Sequence, residues 1–274
     1  MKYSGKDHTY VICAFQESEY LEECICSLNN QEVKSNIIMV TSTPNEFLHA
    51  LCEKYEMPLY RNPGTGGICG DWNFGLSMAE TPIVTIAHQD DVYEPWYTKK
   101  VLEYMNKGRH PLIFFSDYGE IRNGVREVSN HLLNVKRMML LPLRPRWTSD
   151  SIFLRRRVLS FGSPISCPTV SYFLPNLPQK IFAADYKSDL DWQAWEKISR
   201  LKGDFLFCKE ICMYHRIHEE STTTEVLQKH GRHREDLEMF MKFWPKIIAH
   251  ILEWFYQNSE KSNEMEKKGE NESN

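Results

Sequence analysis

Two adjacent carboxylates, Asp90 and Asp91, close the apolar run Ile83-Val84-Thr85-Ile86-Ala87-His88-Gln89. Small and β-branched residues without face alternation predict a strand buried on both sides. In open α/β sheets ligands gather outside the carboxyl ends of the strands, which puts this pair at the mouth of a crevice. Adjacent carboxylates repel unless a cation sits between them, and Mg²⁺ or Mn²⁺ is commonly held by one or two carboxylates while substrate phosphates complete its shell. The pair therefore predicts a metal-diphosphate site. The plainer alternative is that both residues cap the helix expected after Pro95.

Three more groups could do chemistry. The stretch Asn62-Pro63-Gly64-Thr65-Gly66-Gly67-Ile68-Cys69-Gly70-Asp71-Trp72-Asn73 is a glycine-rich loop running into a helix. Its backbone N–H groups can approach a ligand and a helix N-terminus favours anions, although the spacing matches neither a Walker A nor a dinucleotide fingerprint. His215-Arg216-Ile217-His218-Glu219-Glu220-Ser221-Thr222 is a dense polar segment at the end of a strand. It reads either as a phosphate-reaching group or as a turn held by side-chain hydrogen bonds. Asp189 and Asp191 stand at the start of a helix expected to reach Leu201. On a helix they point roughly 200° apart, so only one can face a cleft, and Asp189 has the better capping position.

The elements that position these residues follow from periodicity. Strands are expected at Thr9–Phe15, Asn36–Val40, Leu59–Arg61 and Ile83–His88, with helices at Glu17–Asn30, Asn45–Tyr55, after the glycine loop, and at Pro95–Asn106. This alternation predicts a parallel, doubly wound half. Beyond it, Leu112–Phe115 reads as a strand ending in the polar cluster Ser116-Asp117-Tyr118, and Asn123–Pro145 as an irregular, substrate-facing excursion. A helix at Ser149–Leu159 and strands at Thr169–Phe173 and Asp204–Tyr214 follow. From Leu237 to Tyr256 one amphipathic helix, kinked at Pro245, carries Phe240, Phe243, Trp244, Ile247, Ile248, Ile251, Leu252 and Phe255. Packing on the core is preferred for it over docking on a membrane surface, because its few lysines offer little attraction for anionic lipid. The domain division is thus 1–235, a C-terminal helix 236–258, and a charged, disordered tail 259–274.

A chain of 274 residues with formal charge -4 has no electrostatic footprint for nucleic acid. The local basic cluster Arg144, Arg146, Arg155, Arg156 and Arg157 reads as a solvated helix face that could meet an anionic acceptor. Eight scattered cysteines match neither a disulfide framework nor a paired zinc site and are expected reduced in the core. No signal-peptide core and no apolar run near the ~20 residues of a bilayer span is visible, so a cytoplasmic protein is expected.

Val11-Ile12-Cys13-Ala14-Phe15-Gln16-Glu17 through Leu28-Asn29-Asn30-Gln31, the glycine-asparagine segment Asn62–Leu76, the acidic motif Ala87–Asp91 and His215-Arg216-Ile217-His218 together resemble family-2 glycosyltransferases. The order is kept over about residues 9 to 222. The resemblance implies the GT-A fold, a Rossmann-like, mostly parallel α/β sheet with helices on both faces. It implies inverting sugar transfer from a nucleotide-sugar donor, with Mn²⁺ or Mg²⁺, to a saccharide or lipid-linked saccharide. It assigns Ala14, Phe15, Glu17, Ser42, Thr43, Asn62, Gly67, Asn73, Asp90 and Arg216 to the donor, Asp91 and His218 to the metal, and Asp191, or alternatively Asp189, to the catalytic base. A peripheral position at the inner face of a membrane is compatible with it.

Three departures from the family pattern stand out. His88 occupies the place of the first aspartate of the acidic motif, leaving Asp90 and Asp91 to hold the metal. Thr41-Ser42-Thr43 replaces the acidic residue that commonly reads uracil, so Ser42 or Thr43 with backbone groups near Phe15 must contact the base of an expected uridine diphosphate. Trp72-Asn73 stands where Arg-Asn is frequent. A nucleotidyltransferase would share the α/β frame and carboxylates but carries basic glycine-rich sequence after the first strand, where Phe15-Gln16-Glu17-Ser18 offers none. An inactive nucleotide-sugar-binding protein is the other alternative, separable by a donor-hydrolysis assay.

Overall fold

A computed structural model describes residues 2–64, 66–218 and 232–257. Among the described residues nine strands form one sheet in the order β3-β2-β1-β4-β8-β6-β9-β5, with β7 paired to β6. The first four, β1 (His8–Ala14), β2 (Asn36–Thr41), β3 (Leu59–Arg61) and β4 (Ile83–His88), are mutually parallel. The short β5 (Val92–Tyr93) pairs antiparallel with β9 (Asp204–Ile217), and β8 (Val170–Phe173) runs antiparallel between β4 and β6 (Pro111–Arg122).

Alternating side chains of β1 enter two cores: Val11 joins one and Tyr10 and Ile12 the other. The second core is covered by α1 (Leu21–Asn29), α2 (Glu46–Lys54) and α4 (Tyr97–Lys107). The first is covered by α3 (Ile68–Met78), α6 (Ile152–Leu159), α7 (Leu190–Ser199) and α8 (Arg232–Met241). This is the expected GT-A arrangement. Helix α3 approaches the sheet at Gly75, where an added Cβ would lie 2.5 Å from Val11 Cγ1 and 3.2 Å from Val40 Cγ2. Gly75→Ala is therefore expected to lower stability by about 1–3 kcal/mol through overpacking. An unchanged denaturant midpoint would contradict this close approach.

Five expectations are corrected. Strand β6 does not stop at Phe115 but continues through Ser116-Asp117-Tyr118 to Arg122, because β9 pairs with it as far as Ile217. His215, Arg216 and Ile217 thus lie in β9 rather than in a segment after it. Residues 123–145 are not irregular. Asn123 and Gly124, both with positive φ, form a two-residue hairpin turn into β7 (Val125–Glu127), and α5 (His131–Met139) follows with Asn130 as its N-cap. Arg155 is fully buried rather than on a solvated face, donating to the carbonyls of Ser199, Leu201 and Gly203 and lying over the Phe205 ring. The C-terminal helix is two helices, α8 and α9 (residues 246–257), separated at 242–245. Met239, Phe240 and Ala249 enter the core, whereas Ile247, Ile248, Ile251 and Phe255 are exposed.

All eight cysteines are free. Among the described residues no helix is long and apolar enough to cross a membrane. The expected tail at 259–274 and the Glu219–Thr222 part of the polar segment lie outside the described residues.

Candidate active site

The segments that follow β1, β2 and β4 and the far half of β9 meet beyond the carboxyl ends of the parallel strands, linked by Phe15–Gln89, Gln16–Thr43 and Arg216–Asp91 hydrogen bonds. Asp90 and Asp91 do not cap α4, whose N-cap is Trp96 without a side-chain cap bond. Asp91 is fully buried and faces β9: its Oδ1 accepts from the Arg216 backbone N–H at 2.9 Å and lies 2.8 Å from His215 Nδ1. Asp90 Oδ2 lies 3.0 Å from His218 Nε2. Arg216 donates to the Asp90 carbonyl (2.9 Å) and to Glu23 (2.5 Å), with its guanidinium 4.4 Å from the Tyr20 ring centroid. The closing motif is therefore pinned to the acidic motif by direct contacts, across more than a hundred residues of chain.

His88 also belongs to this cluster. Ligand atoms of His88, Asp90 and Asp91 lie within 4.8 Å of one another. Two buried polar atoms there, Asp91 Oδ2 and His88 Nε2, have no hydrogen-bond partner, an arrangement costly for a protein unless a ligand satisfies it. Burial lowers the pKa of His88, against the raising influence of Asp91 and Asp90, and so keeps the imidazole neutral, the form that ligates metals. Trp72 stacks on His88 with centroids 5.2 Å apart and planes at 19°. Two departures from the family pattern thus pack against each other, and the donor set of one imidazole and two carboxylates fits a divalent cation.

Burial would depress His215, but the Asp91 charge and hydrogen bond, with Asp90 and Glu120, outweigh it and raise its pKa to about 9. Asp90 is held below the ordinary carboxylate range: burial pushes it up, and the His218 hydrogen bond with the His215 charge pulls it further down. A histidine with a raised folded pKa stabilises the fold fully below its unfolded value near 6.5, and that contribution is lost as pH rises to about 9. His88, with its lowered pKa, acts in the opposite window, below 6.5. Without metal, the protein is expected to lose on the order of 3 kcal/mol between pH 6.5 and 9. Thermal melts of wild type and His215→Gln across that range check it: the variant should show a flat profile there.

Asp71, within the glycine-rich stretch, carries no motif of its own in the sequence but organises the neighbouring end of β2. Its buried carboxylate accepts from Ser42 Oγ and from Asn62 Nδ2, each at 2.8 Å, tying the glycine loop to the end of β2. Asn62 also accepts from Gly64 N–H, and Gly67, at φ 82°, precedes α3. Thr43 Oγ1 accepts from the Gln16 N–H at 2.7 Å. Gln89 bridges the Phe15 backbone N–H and carbonyl, next to an exposed Phe15 ring. Ala14 is buried at the end of β1 and Glu17 is exposed. Asn73 is a strut: its amide bonds the backbone of Cys69, Ile181 and Phe182, so its polar groups are committed away from any donor.

The two candidate bases are in different surroundings. Asp189 is buried at the N-cap position of α7 but makes no side-chain cap bond, and its N–H donates to Glu235 of α8. Asp191 is half-buried, accepts from its neighbour Trp192 N–H at 2.6 Å and lies 3.5 Å from Ser163 Oγ. Lys136 of α5 donates to Tyr118 Oη at 2.9 Å. Burial opposes its charge, but Tyr118, Asp191 and Glu120 raise its pKa. Cys167 is within electrostatic range of both Asp191 and Asp91. Glu23, Asp71 and Glu235 act through partners far along the chain, a signal no local motif carries.

The profile of glycosyl transferase family 2 matches residues 9–182. No curated protein matches the chain in sequence. Among solved structures, Staphylococcus aureus TarS 1-349 in complex with UDP-GlcNAc is similar with a TM-score of 0.61 at 14% identity, covering 90% of this chain and 70% of that one. The mannosyltransferase PcManGT from Pyrobaculum calidifontis, in complex with GDP-Man and Mn²⁺, gives 0.58 at 13% identity over 88% of this chain and 64% of that one. Glucosyl-3-phosphoglycerate synthase from Mycobacterium tuberculosis, with Mn²⁺, UDP and glucosyl-3-phosphoglycerate, gives 0.52 at 15% identity over 81% and 78%. The chain belongs to glycosyl transferase family 2.

Proposed function

We propose that this chain transfers a sugar from a uridine diphosphate donor to a saccharide or lipid-linked saccharide, with inversion, assisted by Mn²⁺ or Mg²⁺. The observation that carries the reading is the His88–Asp90–Asp91 cluster, with two buried ligand atoms that have no hydrogen-bond partner, placed where the parallel strands end. These three residues would hold the cation; when bound, it supplies Lewis-acid stabilisation of charge on the departing diphosphate. His218 orients Asp90 and lies beside it. Mg²⁺ is a hard cation that keeps to oxygen ligands, whereas Mn²⁺, a transition metal, accepts an imidazole nitrogen more readily, so His88 would bias the site toward Mn²⁺.

Asp191 is the proposed base. Its carboxylate takes the proton of an acceptor hydroxyl as that oxygen bonds to the anomeric carbon; the bond from that carbon to the diphosphate oxygen breaks, and the configuration inverts. Asp191 is the more accessible of the two candidates, and Asp189 is buried under α8. Gln89, Phe15, Ser42 and Thr43 would frame the base of the nucleotide. The acceptor, and a station at the inner face of a membrane, rest on the family resemblance.

A panel of nucleotide-sugars incubated with full-length protein and Mn²⁺, read by release of nucleoside diphosphate, tests this reading. Release from a UDP-sugar above the others is expected. Release of inorganic pyrophosphate from a sugar phosphate and a nucleoside triphosphate would instead support the nucleotidyltransferase alternative.

A further inference from the structure

Helix α9 is apolar on two sides. Ala249, Leu252 and Tyr256 turn toward the core, where Tyr256 meets Trp192, Phe240 and Gly162. Ile247, Ile248, Ile251, Trp254 and Phe255 are 78%, 40%, 51%, 58% and 60% exposed. At helical spacing these five fall within an arc of about 120°, opposite the core face. A contiguous apolar patch of this kind marks an interaction surface.

The helix itself carries few lysines, but in the fold Arg157 of α6 lies over the Trp244 ring and adds a cation beside the stripe that the helix's own sequence does not show. The exposed polar residues of α9 include Lys246 and His250 on one edge, and its single acid, Glu253, is 13% exposed and paired with His233 at 3.7 Å. Beside α9, Phe161 packs on Trp244, and the exposed Arg157 lies over the rings of Trp244 and Phe153. An aromatic-rich apolar face edged by Lys246 and Arg157, with the one acid of α9 turned inward, therefore stands out on a chain of net charge -4. Two copies meeting through this face would set their cationic edges together, whereas an anionic bilayer matches both the charge and the apolar stripe.

We propose that α9 docks this protein on an anionic lipid surface, with Ile247, Ile251, Trp254 and Phe255 entering the interface and Lys246 and Arg157 meeting the headgroups. The inference rests on the membrane part of the proposed function, and its test contains neither donor nor acceptor, so its failure leaves the transferase reading standing.

The test is flotation of the full chain with phosphatidylcholine vesicles, with and without phosphatidylglycerol. Binding should need the anionic lipid and weaken with salt. Lys246→Glu should reduce partitioning about tenfold and Ile251→Glu with Trp254→Glu more than about 100-fold. Val125→Glu, at an exposed site on β7, should leave it unchanged. Because these side chains are exposed, the variants should keep the wild-type melting temperature. Absence of binding to phosphatidylglycerol vesicles, equal binding to neutral ones, or a dimer in light scattering that the double variant dissolves would each overturn the proposal.

Discussion

Asp91→Asn is expected to abolish Mn²⁺-dependent nucleotide binding, a loss of roughly 10³-fold or more, since the substitution removes a charge the cation needs. A ligand at an open crevice mouth would be replaceable at little cost to the metal-free protein. The complete burial of Asp91 and its contact with His215 change that expectation. Breaking a buried charge pair from one side leaves the other charge uncompensated and costs about 3–5 kcal/mol. The variant should therefore melt lower without metal, and its loss of stability between pH 6.5 and 9 should vanish as His215 returns toward its ordinary pKa. Calorimetry and melts on one preparation separate these effects. Mn²⁺-dependent binding kept at wild-type strength would remove Asp91 from the metal site.

Asp191→Asn is expected to lower kcat by about 10² to 10⁴-fold with donor affinity kept, the range of a lost general base. Asp189→Asn should act on stability, by about 1–3 kcal/mol, because a buried carboxylate changes its partners. The structure alters the reason for the second effect: Asp189 makes no side-chain cap bond on α7, and it is a buried carboxylate whose backbone N–H is held by Glu235 of α8. Turnover lost at Asp189 and retained at Asp191 would reverse the assignment.

The first four strands and their helices were legible because each strand is an apolar run and each helix carries a single apolar stripe. Strand β6 was not, since Ser116, Asp117 and Glu120 are polar yet buried by pairing and by contacts such as Arg137 with Asp117. The Asn123-Gly124 pair was a readable hairpin signal for its turn. The C-terminal segment misled for a different reason: its apolar spacing continues across Pro245, but a break there changes the phase, and residues that extend one stripe in sequence face solvent in space. At the site, Asp90, Asp91 and the closing motif were visible as local patterns. The third member of the cluster, His88, read only as a departure that left Asp90 and Asp91 to hold the metal, because its stacking on Trp72 and its half-buried, neutral state exist only in the folded chain.

The most direct measurement is a calorimetric titration of UDP into the full chain in Mn²⁺, in Mg²⁺ and in EDTA. A filled site couples cation and diphosphate, so UDP should bind tightest with Mn²⁺, less tightly with Mg²⁺, and at least about tenfold more weakly in EDTA. Equal UDP affinity in Mn²⁺ and EDTA would contradict a metal-diphosphate site at His88, Asp90 and Asp91.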